Sequence, residues 1–436
     1  MLDSQKNSNR YDKYKDSGIE WIGEIPDSWC LQRLKTVGDY RNGLTYAPED
    51  ICEENNGTLV LRSSNIKEGK ISLDDNVYVS SNIPQRLKVK KGDILICSRN
   101  GSRDLIGKNA LITEDINASF GAFMMIFRCN NPKYFYYILN SHIFNYYLGS
   151  FFTSTINQLT GTNFGNMRIV YCPNINEQEA IAGYLDRKCG AIDETIEKQK
   201  SVIEKLKEYK QSIITQAVTK GLDKSAPMKD SGIEWIGQIP QHWDTCKIKH
   251  KFYLSSEINY DPTATLLSLF THIGVRPRTE MEDKGNKAQT VIGYSLVKNG
   301  DIIVNKLLAW MGAIGLSDYN GATSPDYDIY RLRNITDNNA KYYHYLFRSN
   351  NFKDECYKYG RGIMLMRLRT YPEEFLNIFI PNITKAQQND IVEFLDKKCS
   401  EIDKTIEDKE KLIEKLVEYK KSLIYECVTG KRKVIE

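Results

Sequence analysis

A fifteen-residue phrase occurs twice in this chain and limits the folds that it can adopt. KDSGIEWIGEIPDSW spans Lys15 to Trp29, and KDSGIEWIGQIPQHW spans Lys229 to Trp243, 214 residues later, with differences only at positions 24, 27 and 28. The phrase mixes two Trp, two Gly, a Pro and both signs of charge, so composition bias does not explain twelve identities in fifteen. The chain is an internal duplication, and its 436 residues are enough for two or three domains.

A second repeated segment has the periodicity of a long helix. It begins LDRKCGAIDETIEKQK at Leu185 and LDKKCSEIDKTIEDKE at Leu395, an offset of 210, and continues to positions 221 and 431. Residues at alternating steps of four and three form an a/d seam over five heptads in each copy. Each helix of about 35 residues would be on the order of 50 Å long. The seam comprises Leu185, Cys189, Ile192, Ile196, Gln199, Ile203, Leu206, Lys210, Ile213 and Ala217 in the first copy, and Leu395, Cys399, Ile402, Ile406, Lys409, Ile413, Leu416, Lys420, Leu423 and Cys427 in the second.

The two long helices are predicted to pair with each other as an antiparallel coiled coil. Packing of each helix on its own domain is the alternative, but a seam of two residues in seven is narrower than a globular core requires. The ends of a domain usually lie close together, so helix two should begin near the end of helix one. By the same reasoning, the copied phrase at Lys15 should lie beside the end of helix two.

The regions between these repeats have diverged in sequence and are predicted to be two mixed α/β domains, mostly β, in an α+β chain with pseudo-two-fold symmetry. Short β-branched runs such as GTLVLRSS and GDIIVNK alternate with Gly, Asn and Pro turns. Each region then contains a Tyr/Phe-rich helical stretch, expected to be core. The predicted boundaries are 1–173 for the first domain, 174–221 for the first long helix, 222–381 for the second domain and 382–436 for the second long helix.

Identical scaffold parts with unlike domains favour recognition of two different half-sites on DNA at a fixed separation. Arg side chains can recognise guanine edges, and Asn and Gln can recognise adenine, although most surface Arg and Lys only solvate the protein. The candidates in the first domain are Arg99, Asn100, Ser102, Arg103, Lys108, Asn157, Gln158, Thr160, Thr162 and Asn163. The candidates in the second domain are Arg276, Arg278, Lys306, Lys358, Arg361, Arg367 and Arg369.

Catalytic and metal-binding motifs are missing from the sequence. It has no HExxH, GxSxG, Walker or strand-linked GxGxxG pattern, and the ten Cys include no CxxC pair. We expect neither a catalytic centre nor a metal site on this chain. No apolar run reaches the roughly 18 residues that a membrane span requires, so a cytoplasmic protein is expected. The net charge of +4 permits nucleic-acid binding but does not by itself indicate it.

The sequence resembles the DNA-specificity (S) subunit of Type I restriction-modification enzymes over essentially its whole length. The resemblance rests on SGIEWIGxIPxxW at the start of each half, LRSSNIKEGKI and KGDILI in the first domain, NKLLAWMGAIG and SPDYDIYRL in the second, and NEQEAIAGYLDRKC before the long helix. It implies two target-recognition domains for the halves of a split double-stranded DNA sequence, spaced by a helix pair that also docks two methyltransferase (M) subunits.

The resemblance also implies that the chemistry belongs to other subunits. The methyltransferase subunits would use S-adenosylmethionine to methylate adenine, and restriction (R) subunits would supply ATP- and Mg-dependent translocation and cleavage. This chain would carry no cofactor and would be non-catalytic. The alternatives are a fused enzyme whose own domains modify DNA, and a coiled-coil scaffold that binds proteins but not DNA.

Overall fold

A computed structural model describes residues 10–80, 82–151, 157–271, 273–280, 290–362 and 368–434. The chain divides into two compact units. Unit 1 comprises Met1–Gln199 and Lys411–Glu436, and unit 2 comprises Lys200–Glu410. Each unit therefore contains one diverged domain, one copy of the repeated phrase and one part of each long helix.

Unit 1 contains short strands and helices followed by the start of a long helix. Its strands are β1 (Tyr14–Asp16), β2 (Glu24–Pro26), β3 (Cys30–Arg33), β4 (Gly38–Asn42), β5 (Ile51–Cys52), β6 (Thr58–Leu61), β7 (Ile66–Lys67), β8 (Lys70–Ile71), β9 (Tyr78–Val79), β10 (Ile94–Cys97), β11 (Asn109–Leu111), β12 (Ala118–Phe120), β13 (Met124–Cys129) and β14 (Arg168–Tyr171). Its helices are α1 (Leu34–Val37), α2 (Pro132–Leu139), α3 (His142–Phe151), α4 (Gly161–Asn166) and the first part of α5 (Ile175–Lys220).

Unit 2 has a similar order of elements with fewer described strands. Its strands are β15 (Met228–Asp230), β16 (Gln238–Pro240), β17 (Asp244–Lys247), β18 (Phe252–Leu254), β19 (Leu267–Phe270), β20 (Gly274–Pro277), β21 (Ser295–Val297), β22 (Ile302–Asn305), β23 (Ile314–Leu316), β24 (Gly321–Thr323), β25 (Tyr327–Leu332) and β26 (Phe379–Asn382). Its helices are α6 (Ala340–Phe347), α7 (Asn350–Lys358), α8 (Pro372–Asn377) and the first part of α9 (Lys385–Val428), which ends in unit 1.

The main sheet of each unit has the same strand order and direction. In unit 1 the order is β11-β10-β13-β4, and in unit 2 it is β23-β22-β25-β18, with every neighbouring pair antiparallel. The hairpin β1-β2 corresponds to β15-β16, and the pair β14-β3 corresponds to β26-β17. The duplication inferred from the phrase thus extends through the diverged domains, and the predicted α+β class is confirmed.

A buried carboxylate and arginine pair recurs at the same place in both main sheets. Asp93 accepts hydrogen bonds from Nε and an Nη of Arg128, both at 2.6 Å, and from the backbone N–H of Lys90. Asp301 accepts the equivalent bonds from Arg331, both at 2.8 Å, and one from the N–H of Lys298. The carboxylate in KGD and NGD is therefore a structural group that fixes the turn before a central strand.

Most aromatic side chains of the Tyr/Phe-rich stretches are buried in the core, as predicted, although Tyr146, Tyr357 and Tyr359 are exposed. Each stretch forms two helices where a single helical stretch was predicted. The breaks lie between α2 and α3 and between α6 and α7. At each break a buried serine hydroxyl donates to a carbonyl of the preceding helix, Ser141 to Ile138 at 2.7 Å and Ser349 to Leu346 at 2.8 Å. Side-chain bonds of this kind compete with the helical backbone pattern and end the helix.

The long helices α5 and α9 contain 46 and 44 residues, more than the predicted 35 or so, because they begin about ten residues earlier. The Oδ1 of Asn174 accepts the N–H groups of Asn176 and Glu177, which caps the first turn of α5. Every seam position in both helices is buried or partly buried, whereas most flanking positions are exposed. The predicted a/d seam is confirmed.

Within each unit the two helix parts run antiparallel. In unit 1, Lys420 of α9 donates to both carboxylate oxygens of Asp193 in α5 at 2.6 Å, and Cys427 joins the core that contains Leu185. In unit 2, Lys210 of α5 donates to both oxygens of Asp403 in α9 at 2.7 Å, and Ala217 joins the core that contains Leu395. The seam lysines therefore form interhelical ion pairs at equivalent positions, and the predicted antiparallel pairing is confirmed.

The copied phrase packs against the carboxyl end of a long helix in each unit, as predicted for the first copy. Gly430 follows α9 with φ of +70°, and a Cβ there would lie 2.3 Å from Cγ of Pro26. Gly221 follows α5 with φ of +74°, and a Cβ would lie 3.1 Å from the Trp243 ring. Only glycine combines this left-handed backbone with such close packing. Among the described residues, no helix combines the length and apolarity that crossing a membrane requires.

Candidate nucleic-acid interface

Two loops meet at the end of a central strand in both units. In unit 1 the N–H of Leu159 donates to the carbonyl of Ser98, which follows β10, at 2.7 Å. In unit 2 the N–H of Thr370 donates to the carbonyl of Lys306, which follows β22, at 3.0 Å. In unit 1 the two loops selected from the sequence, distant along the chain, therefore come together, and in unit 2 Lys306 meets the loop that carries Arg369.

In unit 1 this junction forms one side of an open cleft of about 1210 Å³. The cleft brings together four of the predicted residues, Arg99, Asn100, Asn157 and Gln158. Arg99 and Gln158 are also opposite each other in an isolated antiparallel bridge. Its other walls contain residues 44–46, 62–64, 75 and 121–124, which were not predicted.

The side chains at the cleft differ in how firmly they are held. The guanidinium of Arg99 lies 5.1 Å from the ring centre of Phe123, whose side chain is 57% exposed. Asn100 donates to Oγ of Ser63 at 3.2 Å and accepts the N–H of Ser102. Arg99 therefore presents an exposed cation on an exposed aromatic ring, whereas Asn100 holds two loops together.

The remaining predicted residues of the first domain lie around this cleft but do not line it. Lys108 is half-buried and donates to the carbonyl of Ser63 at 3.4 Å, so it supports a cleft loop. Ser102 and Arg103 are exposed beside the loop, and Thr162 is exposed on α4. Asn163 is half-buried, and its N–H is capped by the hydroxyl of Thr160.

Sequence analysis missed the segment from Arg62 to Ser64, which lines the cleft immediately after β6. An Nη of Arg62 donates to Oδ2 of Asp75 at 3.0 Å. Nε of Arg62 and Oγ of Ser64 are buried without a hydrogen-bond partner in the described part of the chain. The polar run RSSN after an apolar strand was the only signal in the sequence, and it did not indicate a cleft.

In unit 2, Lys306 is partly buried and its Nζ lies 3.2 Å from Oδ1 of Asp328. Burial raises the pKa of the Asp328 carboxyl, an effect that the neighbouring ammonium opposes. The next residues, Leu307 and Leu308, are exposed, as is Met311. The surface that carries Arg99 and Asn100 in unit 1 is therefore apolar in unit 2.

Arg361 and Arg369 lie side by side in unit 2 and are joined by two backbone hydrogen bonds of 2.9 Å. Both are exposed, and Arg361 also forms an ion pair with the largely buried Glu374. Lys358 instead forms an ion pair with Glu234 in the copied phrase. Arg367 lies outside the described residues.

Two further predicted arginines, Arg276 and Arg278, lie at β20 and just after it, and both are partly buried. Arg276 donates to the carbonyl of Val275 at 3.1 Å.

The chemistry of both surfaces is that of hydrogen-bond donors, exposed cations and apolar side chains. In the part of the chain that the structure describes, no group of three or more His, Cys, Asp or Glu residues could hold a metal ion. Such surfaces are suited to binding through arginine forks, amides and methyl contacts.

Comparison with known sequences identifies relatives for half of the chain. Residues 26–207 match the family described as Type I restriction modification DNA specificity domain. The StySPI specificity subunit of Salmonella potsdam is 28% identical over 224 residues, 49% of this chain and 47% of that protein. The EcoKI specificity subunit of Escherichia coli K12 is 26% identical over 231 residues, 50% of this chain and 47% of that protein. The matched region thus spans about half the length of these relatives.

Solved structures share the fold over nearly the whole chain. One, from work on complex assembly and conformational transition of the type I R-M system, has a TM-score of 0.70 at 14% identity and covers 93% of this chain and 99% of its own. The HsdS subunit of Thermoanaerobacter tengcongensis has a TM-score of 0.51 at 15% identity and covers 93% of this chain and 98% of its own. At these identities the likeness concerns the fold alone.

Proposed function

We propose that this chain is a Type I restriction-modification specificity subunit, which binds double-stranded DNA and recognises one half of a split target with each unit. The observation that supports this most directly is the repeated loop junction at Ser98 and Leu159 and at Lys306 and Thr370. The same backbone hydrogen bond joins the two loops in both units, but the side chains beside it differ. A shared scaffold with different surface chemistry is what recognition of two different half-sites requires.

The side chains at the two junctions favour different bases. In unit 1, Arg99 and Gln158 can donate to guanine or pair with adenine in the major groove. In unit 2, Arg361 and Arg369 can bind guanine or phosphate, while Leu307, Leu308 and Met311 can contact thymine methyl groups. The half-site of unit 1 should therefore depend on polar contacts and that of unit 2 on a mixture of arginine and apolar contacts.

The helix pair is proposed to set the distance between the two half-sites and to dock two methyltransferase subunits. Support comes from the seam, which is maintained over five heptads in each helix, and from its repeated Lys–Asp ion pairs. A coiled coil of this kind is stiff because each seam residue packs between residues of the other helix. Methyl transfer with S-adenosylmethionine, and ATP- and Mg-dependent cleavage, would be the work of the partner subunits.

The test is the methylation pattern of genomic DNA from cells that express this chain with its neighbouring methyltransferase subunit. We expect a split motif with N6-methyladenine on opposite strands in its two halves. Arg99→Ala should weaken discrimination between bases in one half of the motif only, and Arg369→Ala in the other half only. Each variant should lose about 1–3 kcal/mol of the preference for the correct base. Arg86→Ala is the matched control, because Arg86 is an exposed arginine of unit 1 that does not line the cleft.

Two results would overturn the proposal. Relaxation of both half-sites by one variant would mean that the units do not act separately. A stable complex with the methyltransferase but no new motif, and no binding of DNA by the purified complex, would instead indicate a protein scaffold.

A further inference from the structure

The cleft of unit 1 contains an arginine that the proposed function has not used. Arg62 lies between β6 and a short 3-10 turn at Ser63–Asn65, and its side chain is 36% exposed. In the described part of the chain, its hydrogen bonds to protein come from a single Nη, which donates to Asp75. Nε is buried without an acceptor, and so is the hydroxyl of neighbouring Ser64.

The backbone around Arg62 is rigid. Buried Asn65 accepts the N–H of Arg62 at 2.9 Å through Oδ1 and donates its own N–H to the Arg62 carbonyl at 3.0 Å. The Nδ2 of Asn65 donates to the carbonyls of Ser72 and Asp75 at 3.0 and 3.1 Å. One fully buried amide therefore fixes both Arg62 and the loop that carries Asp75.

This arrangement is that of an arginine prepared for a ligand. A guanidinium has five N–H donors, and a carboxylate partner on one side fixes its plane while leaving the other donors unused. An unpaired buried donor is unfavourable, so Nε leaves this guanidinium poorly satisfied by the protein alone. The side chain is 36% exposed, and a planar ligand with two adjacent acceptors would engage its solvent-accessible N–H donors.

We propose that Arg62, oriented by Asp75, recognises a guanine in the half-site of unit 1. This rests on the proposed function, since it assumes that the cleft faces DNA. The O6 and N7 of guanine form the acceptor pair that fits an arginine fork in the major groove. Arg99, Asn100 and Gln158 line the same cleft, so the guanine lies within the predicted recognition surface.

The proposed Arg62 contact is specific to the first half-site because unit 2 has no arginine at the equivalent position. Ser119 and Ala322 are equivalent residues, because they precede the equivalent arginines Arg128 and Arg331 by the same number of positions. Ser119 pairs with Val60 in unit 1, and Ala322 pairs with Leu266 in unit 2. By this register, Ser268 is the residue of unit 2 that is equivalent to Arg62. Serine cannot form the two-donor fork, so this contact belongs to one unit alone.

The experiment measures binding of the complex between the full chain and its methyltransferase subunits to duplexes with each base pair of the first half-site replaced in turn. Arg62→Ala should remove discrimination at one G·C pair by roughly 5- to 150-fold and leave other positions unchanged. Arg62→Lys should lose the same discrimination although it retains the charge, because an ammonium lacks the planar fork. Asp75→Asn should weaken discrimination at that same pair, and Arg86→Ala should have no effect.

Three outcomes would overturn the assignment while the wild-type complex still recognises a split motif. A uniform loss of affinity at all positions, with a salt slope reduced by about one, would identify a phosphate contact. Unchanged discrimination in both Arg62 variants would make the Arg62–Asp75 pair structural. Loss of discrimination at a base pair of the second half-site would mean that the unit 1 cleft had been assigned to the wrong half-site. Absence of sequence-dependent binding by the wild type would instead refute the proposed function itself.

Discussion

Removal of the Asp93 carboxylate should destabilise unit 1 more than removal of its counterpart Asp301 destabilises unit 2. The Asp93 side chain is 1% exposed, and the Arg128 guanidinium that it binds is 29% exposed. Asp93→Ala would remove two charge-assisted hydrogen bonds of 2.6 Å and the cap of the Lys90 N–H. Arg128 would then remain partly buried without its carboxylate.

The magnitude follows from the cost of leaving one member of a buried ion pair alone, which is about 3–5 kcal/mol. Because Arg128 retains some contact with solvent, we expect the lower end, about 3 kcal/mol of unfolding free energy, for Asp93→Ala. Arg331 has a second partner, since it also donates to Glu257 at 2.6 Å. Asp301→Ala should therefore cost less, about 2 kcal/mol, because Glu257 still offsets the charge.

The assay is hydrogen exchange of the full chain followed by mass spectrometry, which reports the opening free energy of each unit separately. Asp74→Ala is the control, because its ion pair with Lys67 lies exposed in the same unit and should contribute little to stability. Equal losses for Asp93→Ala and Asp74→Ala, or a larger loss for Asp301→Ala than for Asp93→Ala, would refute this reasoning.

Three other changes test the helices and the second unit. Gly430→Ala should lower the free energy of unfolding, measured by thermal denaturation, by about 2 kcal/mol or more, because φ is +70° and the new Cβ would meet Pro26. Gly190→Ala, which lies in open space within α5, should instead raise it by about 0.5–1 kcal/mol. Burial lowers the pKa of His344 to about 3, so the folded ring stays neutral and the unfolded ring takes up a proton below pH 6.5. The free energy of unfolding should therefore fall by about 2 kcal/mol from pH 7 to pH 5. Urea unfolding of His344→Asn should show a weaker dependence of this free energy on pH than the wild type. Insertion of one heptad in both helices should lengthen the gap in the methylated motif by about three base pairs with the same bases recognised, and an unchanged gap would contradict the spacer proposal.

The predicted interface was only partly accessible to sequence reasoning. Arg99 and Gln158 were selected because they belong to polar loops with Gly and Asn, and they do meet in one cleft. Arg62 and Ser64 were missed because they follow an apolar strand and become cleft residues only when the β6 end lies beside the β10 end. Lys108 and Asn100 were selected as DNA contacts, yet both bond to Ser63 and so have structural partners. Their role in DNA binding stays a prediction.

The sequence by itself determined the duplication, the two long helices and their antiparallel seam. The duplication and the helices are encoded by a copied phrase and by residues three and four apart, and the antiparallel direction follows from the order of the segments along the chain. Only the tertiary structure decided which polar residues share a cleft and which are structural. That outcome depends on strand pairing between segments far apart in sequence, such as β6 with β12 and β10 with β13. The sequence does not distinguish a polar side chain that is buried in an ion pair, as Asp93 is, from one that lines an open cleft, as Arg99 does.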